Sequence, residues 1–434
     1  MISLATRLER AGFRDGNERE PDAWPEERRA ILAELRRRIE SMERRPAPSA
    51  PGVRLPPAAP PSAGARQRCL AELDGAETAE WGVRFVARAR PKFFGDVGAA
   101  ARAAPAWLGR LAGKAAPLAE GLDGVRIVDC ETTGLAGGTG TLAFLVGVGA
   151  FAAGSELVVE QLLVRGPAAE PKFLDDLLAV VGAGATLVTF NGRAFDGPLL
   201  RTRCILARRR PEPFVALPHV DLLPLARRMW RARAGDCRLV TLEENVLRRR
   251  RAEDTPGFLA PAAYAEFLRG GDPAALSAIV GHNREDIIGT AGLLLAMLRI
   301  LDDPLRFAED AAELRAAAVQ RAVFDGAERA VPLYARALEV ARTPAIRRKL
   351  LGEVACVLRR LQKWELAAET WAGYAREFPT ENRGFVELAK IVERRRKDVA
   401  GALTVLGRAP HPACVDVERR RTRLERRLRR QRAP

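Results

Sequence analysis

Residues 125–149 of this 434-residue chain read VRIVDCETTGLAGGTGTLAFLVGVG and carry the strongest signal for the fold. The stretch starts with an apolar run ending in two acids, Asp129 and Glu131, and passes through a glycine-rich segment into a second apolar run. A third strand-like run follows at residues 157–164. Three such runs in succession predict a meander of neighbouring strands.

The neighbouring sequence alternates between helical and strand-like spacing. Residues 172–181 and 282–301 have the apolar spacing of helices, whereas residues 186–190 and a short run ending at Val220 resemble strands. Helix-linked strands after a meander predict an α/β fold, in which helices flank a mixed sheet. Upstream, residues 81–89 alternate like a further strand.

Changes in composition divide the chain into six predicted regions, and strand patterns vanish beyond residue 304. The regions are an N-terminal helical segment (1–45), a Pro/Ala-rich linker (46–65), an N-terminal extension (66–121), the α/β domain (122–303), an all-α helical-repeat domain (310–410) and a basic tail (411–434).

Three segments of the last third resemble one another. Residues 327–338, 364–375 and 398–409 recur at intervals of 37 and 34 residues. This period is typical of tetratricopeptide-like paired helices, which could hold a protein partner, although a plain helical bundle is also compatible with it. The arginine-rich tail after them favours a solvated charged helix or a disordered end over a specific binding site.

The net charge of +16 attracts phosphate backbones. Arg and Ala are abundant and Lys is scarce, a pattern that a GC-rich genome also produces. The positive net charge by itself therefore leaves nucleic-acid binding open. The longest apolar stretches are short and rich in glycine, which predicts no membrane span. The first residues are charged throughout and lack a secretory apolar core, which predicts a cytoplasmic protein. None of the six cysteines forms a CxxC pair, which argues against a zinc site or a disulfide framework.

The first chemical motif is DCETTG, at residues 129–134. Because side chains alternate along a strand, Asp129 and Glu131 share one face and Cys130 points into the packing layer on the other. Two adjacent carboxylates repel unless a cation lies between them, and Mg²⁺ or Mn²⁺ prefers such oxygen ligands. The alternative is two solvated acids at the end of a strand.

The second motif is NGRAFD, at residues 191–196, between a buried strand and a helix. The turn brings Asp196 to the carboxyl edge of the sheet, where α/β folds place their ligands. The alternative is that Asp196 caps the following helix. Asp221, at the end of another strand, could support the site, and a helix N-cap is again the alternative.

The third motif is HNRED, at residues 282–286, which we place at the start of the last helix of the α/β domain. His282 and Asp286 are four residues apart and share a helix face. An aspartate there can complete a metal site, and a neighbouring histidine can accept a proton from an attacking water. The alternative for His282 is a helix cap or a surface residue.

Taken in order, these motifs resemble the DEDD (DnaQ-like) exonuclease superfamily. The stretches VDCETTGLAGGTGTLAFLVGVG, NGRAFD, HVDLLPLARRMW and HNREDI resemble more narrowly the bacterial YprB-like, ribonuclease-H-like family, over roughly residues 122–303. The resemblance implies a ribonuclease-H-like sheet and a 3′–5′ exonuclease that acts on DNA or RNA with two Mg²⁺ or Mn²⁺ ions. It also agrees with a helical-repeat region after the domain.

Residue by residue, the resemblance implies that Asp129, Glu131, Asp196 and Asp286 bind the metals and that His282 is the general base. The spacing between His282 and Asp286 is one residue shorter than in many members of the superfamily that have a histidine at this position, and it equals the spacing of the subclass that has a tyrosine there. The i, i+4 geometry on a helix still lets both side chains face the metals. The expected substrate contacts are Thr132, Thr133, Gly134, Leu135 and Asn191.

Two other functions stay open. One is a non-catalytic nucleic-acid-binding protein, which the four intact acids disfavour because clustered negative charge repels phosphate. The other is a scaffold whose helical repeats recruit a protein partner, which a truncation near residue 304 would separate from the nuclease.

Overall fold

The computed structural model describes most of the chain from residue 76 onward. The described ranges are 76–113, 121–134, 140–152, 156–183, 185–252, 255, 257–269 and 274–432. The predicted N-terminal helical segment, the Pro/Ala-rich linker and the first ten residues of the extension lie outside them.

One seven-stranded mixed sheet organises the α/β part, in the order β1-β2-β5-β4-β3-β6-β7. The strands are β1 Ala76–Ala79, β2 Gly82–Ala89, β3 Val125–Thr132, β4 Ala143–Ala152, β5 Glu156–Val164, β6 Thr186–Thr189 and β7 His219–Asp221. Strands β3, β4 and β5 form the predicted antiparallel meander, and β6 and β7 continue from β3 in parallel. The extension contains the strand predicted at residues 81–89, which is β2, and adds it to the β5 edge together with β1; the sequence indicated neither β1 nor this attachment.

Nine helices accompany the sheet within the described residues. They are α1 Val97–Ala112, α2 Glu170–Val181, α3 Asp196–Leu206, α4 Glu212–Val215, α5 Leu223–Met229, α6 Arg231–Ala234, α7 Leu239–Asn245, α8 Ala260–Leu268 and α9 Ala274–Asp302, with 3-10 turns at Lys92–Phe94, Pro167–Ala169 and Gly257–Leu259. Both faces of the sheet are covered because its strands are apolar on both sides. Ile127 belongs to the core that contains Ile287 of α9, and its neighbour Val128 belongs to the core that contains Phe173 of α2.

The remainder of the chain is all-α. Its helices are α10 Pro304–Phe307, α11 Ala311–Phe324, α12 Ala327–Val340, α13 Pro344–Arg360, α14 Trp364–Glu377, α15 Asn382–Arg394, α16 Val399–Gly407 and α17 Val415–Arg432. The pairs α11/α12, α13/α14 and α15/α16 pack against each other, and the three similar sequence segments correspond to the second helix of each pair. A mixed sheet flanked by helices and followed by an all-α region confirms the predicted fold class.

The hydrophobic core continues across residue 304. Leu314 of α11 and Tyr334 of α12 lie in the same buried cluster as Leu294 of α9. A cut at residue 304 would therefore expose core surface, so the truncation suggested by sequence does not separate two independent parts. Among the described residues, no helix is long and apolar enough to cross a membrane.

Candidate functional site

Strand β3 aims two carboxylates at helix α9. Val125 and Ile127 pack in the core beneath α9, and the alternation of the strand carries Asp129 and Glu131 onto the same face. The side chain of Cys130 lies on the opposite face, against the other core, as expected. Glu131 is only 8% exposed and Asp129 is half-buried, so they are not two solvated acids at a strand end.

A buried amide relay holds Asp129. Asn283 of α9 is fully buried, and its Nδ2 donates to Asp129 Oδ2 at 2.8 Å. Gln161 of β5 donates from Nε2 to Asn283 Oδ1 at 2.9 Å and to the carbonyl of Val280 at 2.8 Å. These bonds set the orientation of the Asn283 amide, because its oxygen accepts from Gln161 while its nitrogen faces the carboxylate.

Two glycines of β4 allow α9 to come this close. A Cβ at Gly147 would lie 2.4 Å from Asn283 Oδ1, and one at Gly149 would lie 2.6 Å from Ile287 Cγ2. Real Cβ atoms do not approach other atoms so closely, so any larger residue would push the helix away from the strand. Gly147 pairs with Asp129 across the strands, which places this contact directly beside the site.

Asp196 reaches the site from the first turn of α3. The preceding turn is organised by Asp221, which accepts from the backbone N–H of Asn191 at 2.8 Å and of Arg193 at 3.2 Å. Asn191 has the positive φ of 73° that this turn requires. The helix N-cap is Phe195, without a side-chain cap bond, and the Asp196 carboxylate instead accepts a hydrogen bond from the Cys130 thiol. Both Asp221 and Cys130 therefore support the acid.

The prediction that HNRED opens a helix is wrong. Helix α9 begins at Ala274, because residues 274–280 continue the helical apolar spacing and bury Leu276 and Ile279. His282 therefore lies inside the helix and is no cap. Its Nε2 is 3.7 Å from Asp286 Oδ2 one turn later, and its side chain is 12% exposed.

The structure adds Arg251 to the site, which the sequence did not indicate. Its Nη2 lies 2.6 Å from Asp286 Oδ1, and its Nε donates to Oε2 of the fully buried Glu243 at 2.8 Å. Arg249 also pairs with Glu243, at 3.3 Å, and with Glu285. Glu243 thus fixes two arginines, of which Arg251 holds Asp286 in place.

The four acids influence one another strongly. Burial raises the pKa of Asp129 well above its usual value, and the charges of Asp286, Asp196 and Glu131 raise it further. Burial, followed by Asp286 and Asp196, raises the pKa of Glu131 to about 8. Burial raises the pKa of Asp196 to about 7, with smaller contributions from Asp221 and Asp286. The acids predicted by the three motifs therefore meet in one electrostatic cluster.

The donor set suits a hard divalent cation. All four acids offer carboxylate oxygens, and a cation among them would relieve their repulsion. Within the described ranges, no three His, Cys, Asp or Glu side chains already stand in a metal-coordinating arrangement. Asp286 is instead paired with Arg251, and Asp129 with Asn283. The residues fit Mg²⁺ or Mn²⁺ in type and charge, and binding would require their side chains to rearrange.

The residues predicted to contact the substrate lie in two segments, one at and just after the end of β3 and one before α3. Thr132 Oγ1 donates to the carbonyl of Gly134, and Thr133 Oγ1 accepts from the N–H of Leu142, so both hydroxyls shape the segment after β3. Leu135 lies outside the described residues. Asn191 stands in the turn that leads to Asp196.

A basic cleft of about 570 Å³ opens beside His282. Its lining includes Arg249, Arg250, Arg284 and Ser277. Guanidinium groups recognise phosphate oxygens, so the cleft suits a polyanion. The sequence could not single out Arg249 and Arg250, because residues 248–251 are four consecutive arginines with different surroundings in the fold.

Residues 127–298 match the sequence profile RNase_H_2 of the RNase_H superfamily, a range that contains all four acids and His282. The chain is also similar to the uncharacterized protein YprB of Bacillus subtilis (strain 168). The two are 31% identical over 279 residues, which cover 64% of this chain and 67% of that protein.

Proposed function

Because this chain belongs to the RNase H superfamily and to the same family as YprB, we propose that it is a metal-dependent 3′–5′ exonuclease of the DEDD class. The observation that carries the proposal is the convergence of Asp129, Glu131, Asp196 and Asp286 into one electrostatic cluster, in which Glu131 is buried and the other three acids are half-buried. A protein that only binds nucleic acid has no use for such a cluster, because it repels phosphate. The 3′–5′ direction of degradation is the one implied by the superfamily that the motifs resemble.

The four acids would hold two Mg²⁺ or Mn²⁺ ions. When bound, such ions stabilise the attacking and leaving oxygens of an in-line displacement at phosphorus. The remaining contributions come from the chain itself. Asn283 keeps the Asp129 carboxylate oriented toward α9, and the Cys130 thiol and the turn held by Asp221 keep Asp196 at the sheet edge.

His282 is the proposed general base. Its Nε2 would accept the proton of the attacking water, and Asp286 at 3.7 Å would stabilise the resulting imidazolium. Its position inside α9 gives the ring a fixed backbone, which a general base needs. The basic cleft beside His282 would guide the phosphate backbone, and the segment of Thr132, Thr133 and Gly134 would meet the terminal nucleotide.

The proposal covers DNA and RNA as substrates, a nucleoside 5′-monophosphate as product and a cytoplasmic location. A tetratricopeptide-like function of the paired helices, with a protein partner, stays a prediction beside it.

The test uses the purified full chain with 3′- and 5′-end-labelled single- and double-stranded DNA and RNA, in Mg²⁺, Mn²⁺ or EDTA. We expect stepwise shortening from the 3′ end that requires the metal. Asp129→Asn should reduce the rate by about 100-fold or more, since it removes a charge at the reacting centre. The matched control is Asp123→Asn, at an exposed acid just before β3, which should keep the wild-type rate.

Equal inertness of the wild type and Asp129→Asn on every substrate and metal would overturn the enzyme and leave the binding or scaffold function. Internal cleavage that depends on Asp129 would retain the nuclease but contradict the 3′–5′ polarity.

A further inference from the structure

Helix α17 carries an excess of positive charge that the catalytic proposal does not use. Its 18 residues, VDVERRRTRLERRLRRQR, contain nine arginines against three acids. The helix is anchored on one side, where Val417 and Leu424 are buried in the cluster that also contains Leu406 of α16. The tail is therefore a docked helix with a defined outer surface.

Part of the charge is neutralised on the inner flank of the helix. Glu393 of α15 is 1% exposed and pairs with Arg420 at 3.5 Å, with Arg427 at 3.3 Å and with Arg423. These pairs fix the rotation of α17 about its axis, because a buried carboxylate strongly favours retaining its cations. Because the rotation of α17 is fixed, its arginines that do not contact Glu393 keep a defined position on the helix surface.

The outer stripe consists of Arg419, Arg426 and Arg430. They lie at positions i, i+7 and i+11, on one helix face, and all three are exposed. Among the described residues, no acidic side chain pairs with any of them. Arg419 and Arg430 are 11 positions apart, so the stripe extends over about 16 Å along the helix. Arg419, Arg426 and Arg430 line one groove along α17, and Glu418 is the acid that borders it.

A phosphate backbone matches this stripe better than an anionic membrane does. Duplex DNA presents one charge per about 1.7 Å of its length, so a stripe of this size faces many phosphates at once. Arginine binds phosphate through two parallel N–H groups. A membrane-surface helix needs an exposed apolar face, whereas Val417 and Leu424 of α17 are buried within the protein.

We propose that the outer face of α17, centred on Arg419, Arg426 and Arg430, is a sequence-independent binding surface for the phosphate backbone of nucleic acid. The choice of ligand rests on the proposed nuclease function. The surface would tether a substrate strand separately from the cleft beside His282, and it contributes no group to the chemistry.

The test measures binding of fluorescein-labelled 30-nucleotide DNA and RNA single strands to the full chain by anisotropy, in EDTA, over a series of salt concentrations. The variant is Arg419→Gln/Arg426→Gln/Arg430→Gln, since glutamine favours helix and circular dichroism can verify folding. The charge-matched control is Arg329→Gln/Arg342→Gln/Arg376→Gln, three exposed arginines outside α17.

We expect the variant to bind about 10- to 100-fold more weakly than the control near 0.1 M salt. The slope of log affinity against log salt should fall by about 2, because each lost single-strand phosphate contact removes about 0.7. Equal affinity and slope in variant and control would overturn the inference. The same titration with labelled poly-glutamate provides a second comparison. If the triple variant lost binding to poly-glutamate but bound nucleic acid as the control does, the inference would also be overturned, and an acidic protein partner would be indicated.

Because the assay runs without turnover, the two proposals fail separately. A reduced slope in a chain without nuclease activity supports the tether and overturns the enzyme. An active nuclease with an unchanged slope overturns only the tether.

Discussion

Individual side chains at the sheet edge repel one another in the metal-free protein. Burial raises the pKa of Asp129, Glu131 and Asp196, and the nearby charge of Asp286 raises the pKa of each of them further. Arg251 is the one positive group among the described residues that contacts Asp286 directly. The site is therefore poised to take up additional positive charge.

The burial of these acids, together with their mutual repulsion, predicts a pH dependence of stability in EDTA. The pKa of Glu131 rises from 4.5 to about 8 and that of Asp196 from 3.8 to about 7, so the folded protein holds more protons than the unfolded chain between about pH 4 and 8. The free energy of unfolding should consequently fall as the pH rises through this window. Urea denaturation at pH 5, 6, 7 and 8 measures it.

Saturating Mn²⁺ should remove most of this decline, because a bound cation favours the ionised carboxylates. Glu131→Gln should show a shallower decline in EDTA than the wild type, while Asp123→Asn should follow the wild type. An identical pH dependence in wild type and Glu131→Gln would contradict the assignment of the titrating group.

At the scale of secondary-structure elements, the site depends on how closely α9 approaches β4. The approach is possible because Gly147 and Gly149 leave no side chain between strand and helix. It brings Asn283 to Asp129, and it places His282 and Asp286 on the same helix beside β3. The spacing between two elements therefore sets the geometry of three functional side chains.

Gly147→Ala should destabilise the protein by about 1–3 kcal/mol, because the added methyl group would overlap Asn283 Oδ1 and force helix and strand apart. It should also weaken Mn²⁺ binding, measured by calorimetry, since the Asn283–Asp129 bond would be strained. Gly373→Ala is the control, because a Cβ there meets nothing within 4 Å and alanine favours helix. Unchanged stability and Mn²⁺ affinity in Gly147→Ala would contradict the steric argument.

At the scale of the whole described molecule, the α/β part and the first helices after it share one core. Glu313 of α11 is 1% exposed and accepts from Trp230 Nε1 at 2.6 Å, while Arg233 pairs with it at 3.0 Å. These contacts join the segment after β7 to the all-α region. A role of the helical region in partner binding is better tested by surface substitutions than by truncation.

Glu313→Ala should lower the free energy of unfolding by about 3–5 kcal/mol, because it leaves the buried Trp230 N–H without an acceptor and removes the buried carboxylate that pairs with Arg233. The control is Glu309→Ala, whose side chain is 55% exposed and whose ion pair with Arg233 should contribute less than about 1 kcal/mol. Both variants can be compared by urea denaturation followed by circular dichroism. Similar losses in the two would show that Glu313 does not join the two regions.

Local sequence patterns predicted strands β2 to β7 and the helices at residues 172–181 and 282–301, and they selected four acids that influence one another in the structure. Alternation within β3 placed Asp129 and Glu131 on one face, and a strand-turn-helix pattern brought Asp196 to the sheet edge. Such patterns depend on residues a few positions apart, so the sequence contains them directly. The predicted helix start at His282 is wrong because the apolar spacing continues upstream of it, through Leu276 and Ile279.

Only the tertiary structure decided which groups accompany the acids. Gln161 and Asn283 are 122 residues apart, yet they form the relay to Asp129. Arg251 is one of four consecutive arginines, and only its burial beside Glu243 and Asp286 distinguishes it. The attachment of β1 and β2 to the sheet and the core shared across residue 304 also result from contacts between distant segments. Burial and charge pairing are properties of the packed chain, and a local pattern does not contain them.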